Sequence, residues 1–307
     1  MALVTNYVNS PLDGVFVPSG LRRQVLMRKL FDAVLQVATD WAEVTDSSPT
    51  PSGIRSWASN LPSTVDNSSS PAVGQFCAAY HTSDPEVSNG LARMFRFYLY
   101  ITNSTNSFAQ CEILDPKPQN SIWSYADSSG QSIIRGGTVF NSPTTSGVSN
   151  HDYRVIVFQD TGLLIVVFYN QDEQSNRGGF LLYYPDNVSD LDRSLDGFMM
   201  VSVLSNDSIS TFASVRAPTS GGATDVYLLP HIGFPGASLR TRQNQVPMGP
   251  VEVIAMGDAW GWMGQIPRVR VMPANEIALW HRFTLGSTEY VCFAKTQQFA
   301  FLIDLTS

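Results

Sequence analysis

YRVIVFQDTGLLIVVFY, residues Tyr153–Tyr169, decides how this chain folds. Two β-branched, aromatic-rich runs flank QDTG. Gly162 supplies the positive φ that tight hairpin turns use. The stretch therefore reads as two antiparallel strands. Its longest apolar run, Gly162–Tyr169, is too short to span a bilayer, so no membrane partner is expected.

Working outward, the same period-two pattern recurs on both sides. MFRFYLYI at 94–101 alternates and should pair with SFAQCEIL at 107–114 across TNSTN. SIIRGGTVF at 132–140 is a further strand, with a bulge expected at Gly136 and Gly137. GGFLLYYP and FMMVSVL continue the series. TEYVCFAK and QFAFLIDL form a closing hairpin.

Only residues 21–46 break this period. Leu21, Val25, Leu26, Leu30, Val34, Leu35, Val37 and Trp41 fall on one broad face, the mark of an amphipathic helix, with Ser19 as candidate N-cap. The candidate short helix SGIRSWASNL follows. The fold class is thus mainly β with one long N-terminal helix (α+β), the body being an antiparallel β-sandwich or barrel-like.

Residues 1–20 read as an extended arm punctuated by Asn9, Pro11, Gly14, Pro18 and Gly20, with an apolar centre at Val15, Phe16 and Val17. A terminus of this kind either frays or adds a strand to a neighbouring subunit. The second reading makes Val15, Phe16 and Val17 an assembly arm, whose removal leaves a folded chain that assembles poorly. The expected organisation is an arm (1–20), a helix (21–46), a β-rich body (47–215) and a C-terminal β lobe (216–307), the last two separate or continuous. ASVRAPTSGGATD at 213–225 marks the boundary.

Composition narrows the function. The 307 residues are 43% hydrophobic but only 15% charged, with a net charge of -7 and a pI near 5.0. Typical domains carry roughly 25% charge. Ser, Thr, Asn and Gln take its place, giving a surface that can pack against neighbours with little ion desolvation. Lysine occurs only as Lys29, Lys117 and Lys295. No basic run exists, which argues against sequence-specific nucleic-acid binding. Cys77, Cys111 and Cys292 are odd in number and lack metal-ligand spacing, so neither disulfides nor a zinc site is expected. The N-terminus has no signal-peptide pattern, which implies synthesis in the cytoplasm. The sequons at Asn67, Asn103, Asn187 and Asn206 then read as products of composition.

There is no G-x-S-x-G elbow, phosphate loop, HExxH or acidic calcium loop. The histidines His81, His151, His231 and His281 are far apart in sequence. Glu86, Glu112, Asp115, Asp152, Glu173 and Asp258 offer carboxylates for a glycosidase pair, as does any chain of this size. No catalytic residue, cofactor or metal is expected. The tryptophans Trp260, Trp262 and Trp280 could stack on sugar rings or pack at a subunit interface, with Arg268 and Arg270 beside them.

The segment from Gly261 onward, GQIP at 264–267, the strand RVRVM, a polar spacer and RFTLGSTEYVCF at 282–293, resembles the C-terminal pattern of virion structural proteins of tailed bacteriophages. There a G-x-[Leu/Ile]-P element precedes a strand, a loop and a final hairpin. Many such chains carry Gly after that Pro. Arg268 stands there in this chain, which puts the tight turn in doubt. The resemblance implies a non-enzymatic structural component of the virion, of tail, baseplate or collar/adaptor type. It would be made in the bacterial cytoplasm and contact copies of itself and other virion proteins. The alternatives are a tail-tip module binding a receptor or host surface glycan, a capsid decoration protein, and a β-rich polysaccharide hydrolase.

Overall fold

The computed structural model describes residues 4–5, 14–48, 57–68, 74–83, 94–101, 107–114, 117–119, 122–124, 133–142, 148–160, 162–172, 175–183, 200–205, 208–210, 213–216, 223–230, 248–256, 261–274, 277–295 and 299–306, with backbone alone at 4–5, 100–142, 175–177, 200–230 and 252–264. In chain order the elements are β1 (Val4–Thr5), β2 (Val15–Val17), α1 (Arg23–Val37), β3 (Trp41–Glu43), β4 (Phe76–His81), β5 (Met94–Ile101), β6 (Ser107–Leu114), β7 (Lys117–Gln119), β8 (Ile122–Ser124), β9 (Ile133–Ser142), β10 (Tyr153–Asp160), β11 (Leu163–Asn170), β12 (Ser175–Tyr183), β13 (Met200–Ser205), β14 (Ser208–Ser210), β15 (Ala213–Arg216), β16 (Ala223–Pro230), β17 (Gly249–Met256), β18 (Gly261–Pro273), β19 (Arg282–Leu285), β20 (Thr288–Lys295) and β21 (Phe299–Asp304). The chain is mostly β: three large antiparallel sheets, the ribbon β7–β8 and one helix among the described residues.

The 153–169 hairpin lies at the centre of this arrangement. β10 and β11 pair from Tyr153↔Asn170 to Asp160↔Leu163, and Gly162 in the turn has φ 68°. With β12, β13 and β14 on one side and β1 and β2 on the other, they build the hairpin sheet. Every residue of β11 is buried. Alternate side chains of a strand point to opposite faces, and both faces here are covered. Leu163, Ile165, Val167 and Tyr169 join one core with Val251, Ile266, Val271, Val291, Phe293 and Ile303 of the carboxy-terminal sheet, ordered β15-β16-β17-β18-β21-β20-β19. Leu164, Val166 and Phe168 join a second core with α1 and the amino-terminal sheet, ordered β3-β4-β5-β6-β9. A strand buried on both sides needs no polar alternation, which is why LLIVVFY is uniformly apolar.

α1 rests on aromatic rings. Phe31 meets Phe95 and Phe97 edge-on at 6.1 and 5.5 Å, and Phe95 and Phe97 reach Phe180 across the second core at 5.4 and 5.8 Å. The helix is shorter than the expected 21–46. It stops at Val37, where the Ala38 N–H bonds Val34 O, and Trp41–Glu43 turn back as β3 against His81–Ala79. Thr39 and Asp40 form the turn, and Trp41, placed on the helix face from its spacing, packs instead from a strand onto Phe95 at 4.9 Å. The N-cap is Arg22, without a side-chain cap. Ser19 is engaged elsewhere, its N–H donating to Asp152 Oδ1 at 2.6 Å.

β5 and β6 pair in the expected register, from Met94↔Leu114 to Ile101↔Ser107. Between β6 and β9, Gln110 faces Thr138 and Cys111 faces Gly136, so Gly137 is passed over within the expected bulge. The boundary expected near 215 falls inside β15, which pairs with β16 across 217–222. Of the candidate helix at 52–61, residues 57–61 are described and are not helical, and residues 52–56 lie outside the described residues. No described helix is long and apolar enough to cross a membrane.

Candidate functional site

The N-terminal arm docks on its own chain at Val15, Phe16 and Val17, the residues read from the sequence as a candidate assembly arm. Val17↔Tyr153, Phe16↔Arg154 and Val15↔Val155 are antiparallel pairs, and Val4↔Gln159 and Thr5↔Phe158 continue along the same edge of β10. Val17 is buried in the second core, Val15 packs against it, and Phe16 remains 46% exposed beneath the Arg154 guanidinium, 4.8 Å from its ring centre. The physical reason is the edge itself. β10 is apolar on both faces, and an open edge of that kind invites pairing. A strand tethered to the same chain reaches it at high effective concentration.

Local bonds hold the base of the arm. Arg154 Nη1 donates to Gly14 O at 3.2 Å, and Gly20 N–H to Ser149 O at 2.8 Å. Asn67 bridges Gly20 and the helix start, its Nδ2 donating to Gly20 O at 2.9 Å and its Oδ1 accepting from Arg22 N–H at 2.7 Å. That bridge gives the Asn67 side chain a structural task that its sequon did not suggest. Asn103, Asn187 and Asn206 lie outside the described residues.

The C-terminal candidates divide. Trp280 is only 6% exposed and meets Tyr169 edge-on at 5.6 Å in the core between two sheets. As a sugar-stacking platform it is therefore corrected to a core residue. Its backbone has φ 65°, and its N–H bonds Cys292 O while Cys292 N–H bonds His281 O. Two residues thus face one across the ladder, a bulge of the kind that usually places glycine at the left-handed position. Trp262 sits on β18 opposite Ile254. Trp260 lies outside the described residues. Arg270 is half-buried and donates from Nη1 to Val269 O at 2.9 Å.

Arg268 is intramolecular as well. It pairs with Asp160 at the end of β10, and its Nη1 donates to Thr306 O. Its φ of 59° is the left-handed conformation that glycine would favour, adopted by arginine within β18 opposite a register shift rather than in a tight turn.

Beyond the bulge, β19 and β20 form a hairpin in register from Arg282↔Val291 to Leu285↔Thr288. Gly286 turns it at φ 63°. On one face Phe283 stacks on Tyr290 at 5.5 Å and on His281 at 6.5 Å. On the other, Arg282 Nε donates to Glu289 Oε1 at 2.8 Å. Leu285, beside the turn, is 52% exposed.

No group of three or more His, Cys, Asp or Glu residues is placed to hold a metal among the described residues. Of the carboxylates considered for sugar cleavage, Asp152 has a described side chain, and it accepts the Ser19 N–H. His81 lies edge-on to Trp41 at 5.2 Å, and His231 is outside the described residues. Among the described residues, one cluster of charge is structural. Arg28 lies in the second core's wall, forked onto Glu43 by two 2.6 Å bonds, with Asp32 at 2.7 Å. Burial lowers the guanidinium's hold on its proton, but hydrogen bonds to Glu43 and Asp32 outweigh that and raise it above its usual range. Cys77, 3.9 Å from Arg28 Nη1, is pushed up to about 12, chiefly by burial, which makes it an unreactive thiol.

Sequence reasoning missed Asp160, Glu43 and Asn67 as partners, because each binds a residue distant in sequence or hidden in a polar-rich segment. No protein-family model matches this sequence, and no curated protein matches it.

Proposed function

We propose that this protein is a non-enzymatic structural component of a tailed phage particle, of tail, baseplate or collar/adaptor type, acting by subunit assembly. The body is read as an antiparallel β-sandwich, formed by the two sheets that share the core around Ile165 and Phe293. The observation that carries the functional reading is the β19–β20 hairpin. It combines the phage-like C-terminal residues with a position at the margin of a sheet and an exposed Leu285. Low charge and the predominance of arginine over lysine suit a surface buried against other subunits.

Mass in solution tests it, by light scattering after size exclusion across a wide range of concentration. A defined closed oligomer, or growth with concentration, is the expected result. A strict monomer throughout would overturn self-assembly.

A further inference from the structure

β19 is the last strand of the carboxy-terminal sheet among the described residues. The bond from Cys292 N–H to His281 O fixes which of its backbone groups face outward. Bonded and non-bonded pairs alternate along an antiparallel ladder. Phe283 and Leu285 therefore bond Tyr290 and Thr288, whereas Thr284, opposite Glu289, turns its N–H and C=O away from β20. Phe283 and Leu285 share the face of Tyr290.

Open edges are usually guarded by lysine, proline, a bulge or an inward charge. Along 282–285 β19 has none of these; its shortness and the bulge at Trp280 and His281 just before it are what blunt the edge. Its one charge, Arg282, is already bound to Glu289, and its pairs with β20 run without a register shift.

The geometry points to β19 pairing antiparallel with β19 of a second copy, about a two-fold axis at Thr284. This deepens the assembly reading above and rests on it. Each Thr284 donates its N–H to the C=O of the partner's Thr284 and accepts one bond in return. Phe283 then lies beside the partner's Leu285, in the closer, non-bonded kind of pair, and the axis makes this contact twice. A second copy is the fitting occupant because the strand is complementary to itself. The half-buried and the exposed apolar side chains cover one another, and Arg282 falls opposite the partner's Gly286, so no like charges meet. Two such short strands bury far less than the ~1,200 Å² of a stable interface. The contact is thus one joint among several in an assembly.

Thr284→Cys tests it in the full chain. Directly bonded antiparallel residues have Cα atoms about 5.5 Å apart, within the range a disulfide spans. Under mild oxidation at high concentration, T284C should form covalent dimers about tenfold faster than Ser287→Cys, since S287C presents an equally exposed thiol off the axis. Adding Leu285→Lys to T284C should remove that advantage. Equal rates for T284C and S287C, or no dimer from either, would overturn the pairing. Light scattering of the unmodified chain separates the two proposals. An oligomer without T284C cross-linking overturns the β19 joint alone, and a monomer without cross-linking overturns both.

Discussion

Arg268, on β18 of the carboxy-terminal sheet, binds Asp160 at the end of β10, so one ion pair joins two sheets that share a core. The arginine and aspartate side chains are only 18% and 11% exposed. Arg268 also caps Thr306 O and does so from a left-handed backbone. Asp160→Asn should cost about 2–4 kcal/mol, because it leaves a largely buried guanidinium without its counter-charge. Arg268→Ala should cost a similar amount. Arg268→Gly should cost up to about 1 kcal/mol less than R268A, since glycine adopts this φ without steric penalty. Urea unfolding midpoints measure all three. Equal losses for R268A and R268G would mean that the backbone is not strained there.

Gly14 holds the arm against β10. A Cβ at that position would lie 2.7 Å from Val155 O and 2.9 Å from Ile156 Cγ1. Gly14→Ala should therefore lift β2 from the sheet edge, and hydrogen exchange at residues 15–17 should accelerate. Because Val17 belongs to the second core, removing residues 1–17 should lower stability as well as expose the β10 edge to aggregation. An arm deletion with unchanged melting temperature would contradict the docking.

Trp280 discriminates between core packing and sugar stacking. Trp280→Ala removes a buried indole and its edge-on contact with Tyr169, and should cost about 3–5 kcal/mol. Thermal unfolding checks this. A variant that keeps its stability but loses glycan binding would reverse the assignment.

Two thiols should be silent in the native state. Burial pushes both Cys77 and Cys292 up to about 12, from a usual value near 9. Below that usual value both states hold the proton and the thiols add no pH dependence. Between about 9 and 12 the unfolded chain gives up these protons first, so stability falls as pH rises through this window. Ellman's reagent at mildly alkaline pH should label Cys77 and Cys292 only after denaturation, as read by peptide mapping. Labelling of Cys77 in the folded protein would show that the Arg28 wall opens.

The hairpin at 153–169 and the pairing of 94–101 with 107–114 were legible in the sequence because strand alternation and a glycine turn are local properties of the chain. The helix was legible in its existence but not in its end. Trp41 fits the helical spacing, yet the aromatic wall around Phe95 draws it into β3. At the C-terminus the sequence singled out Trp280 and Arg268 as unusual, without telling which way they face.

What the sequence by itself determined is therefore the β-rich class, the turn positions and the segments that must be buried, all set by side-chain period and backbone preference over a few residues. The tertiary structure alone decided that the arm closes its own sheet, that Asp160 meets Arg268, that Trp280 lies in the core and that β19 is left at a margin. Each depends on which distant segments become neighbours, and that is fixed by the joint burial of many apolar side chains rather than by any local pattern.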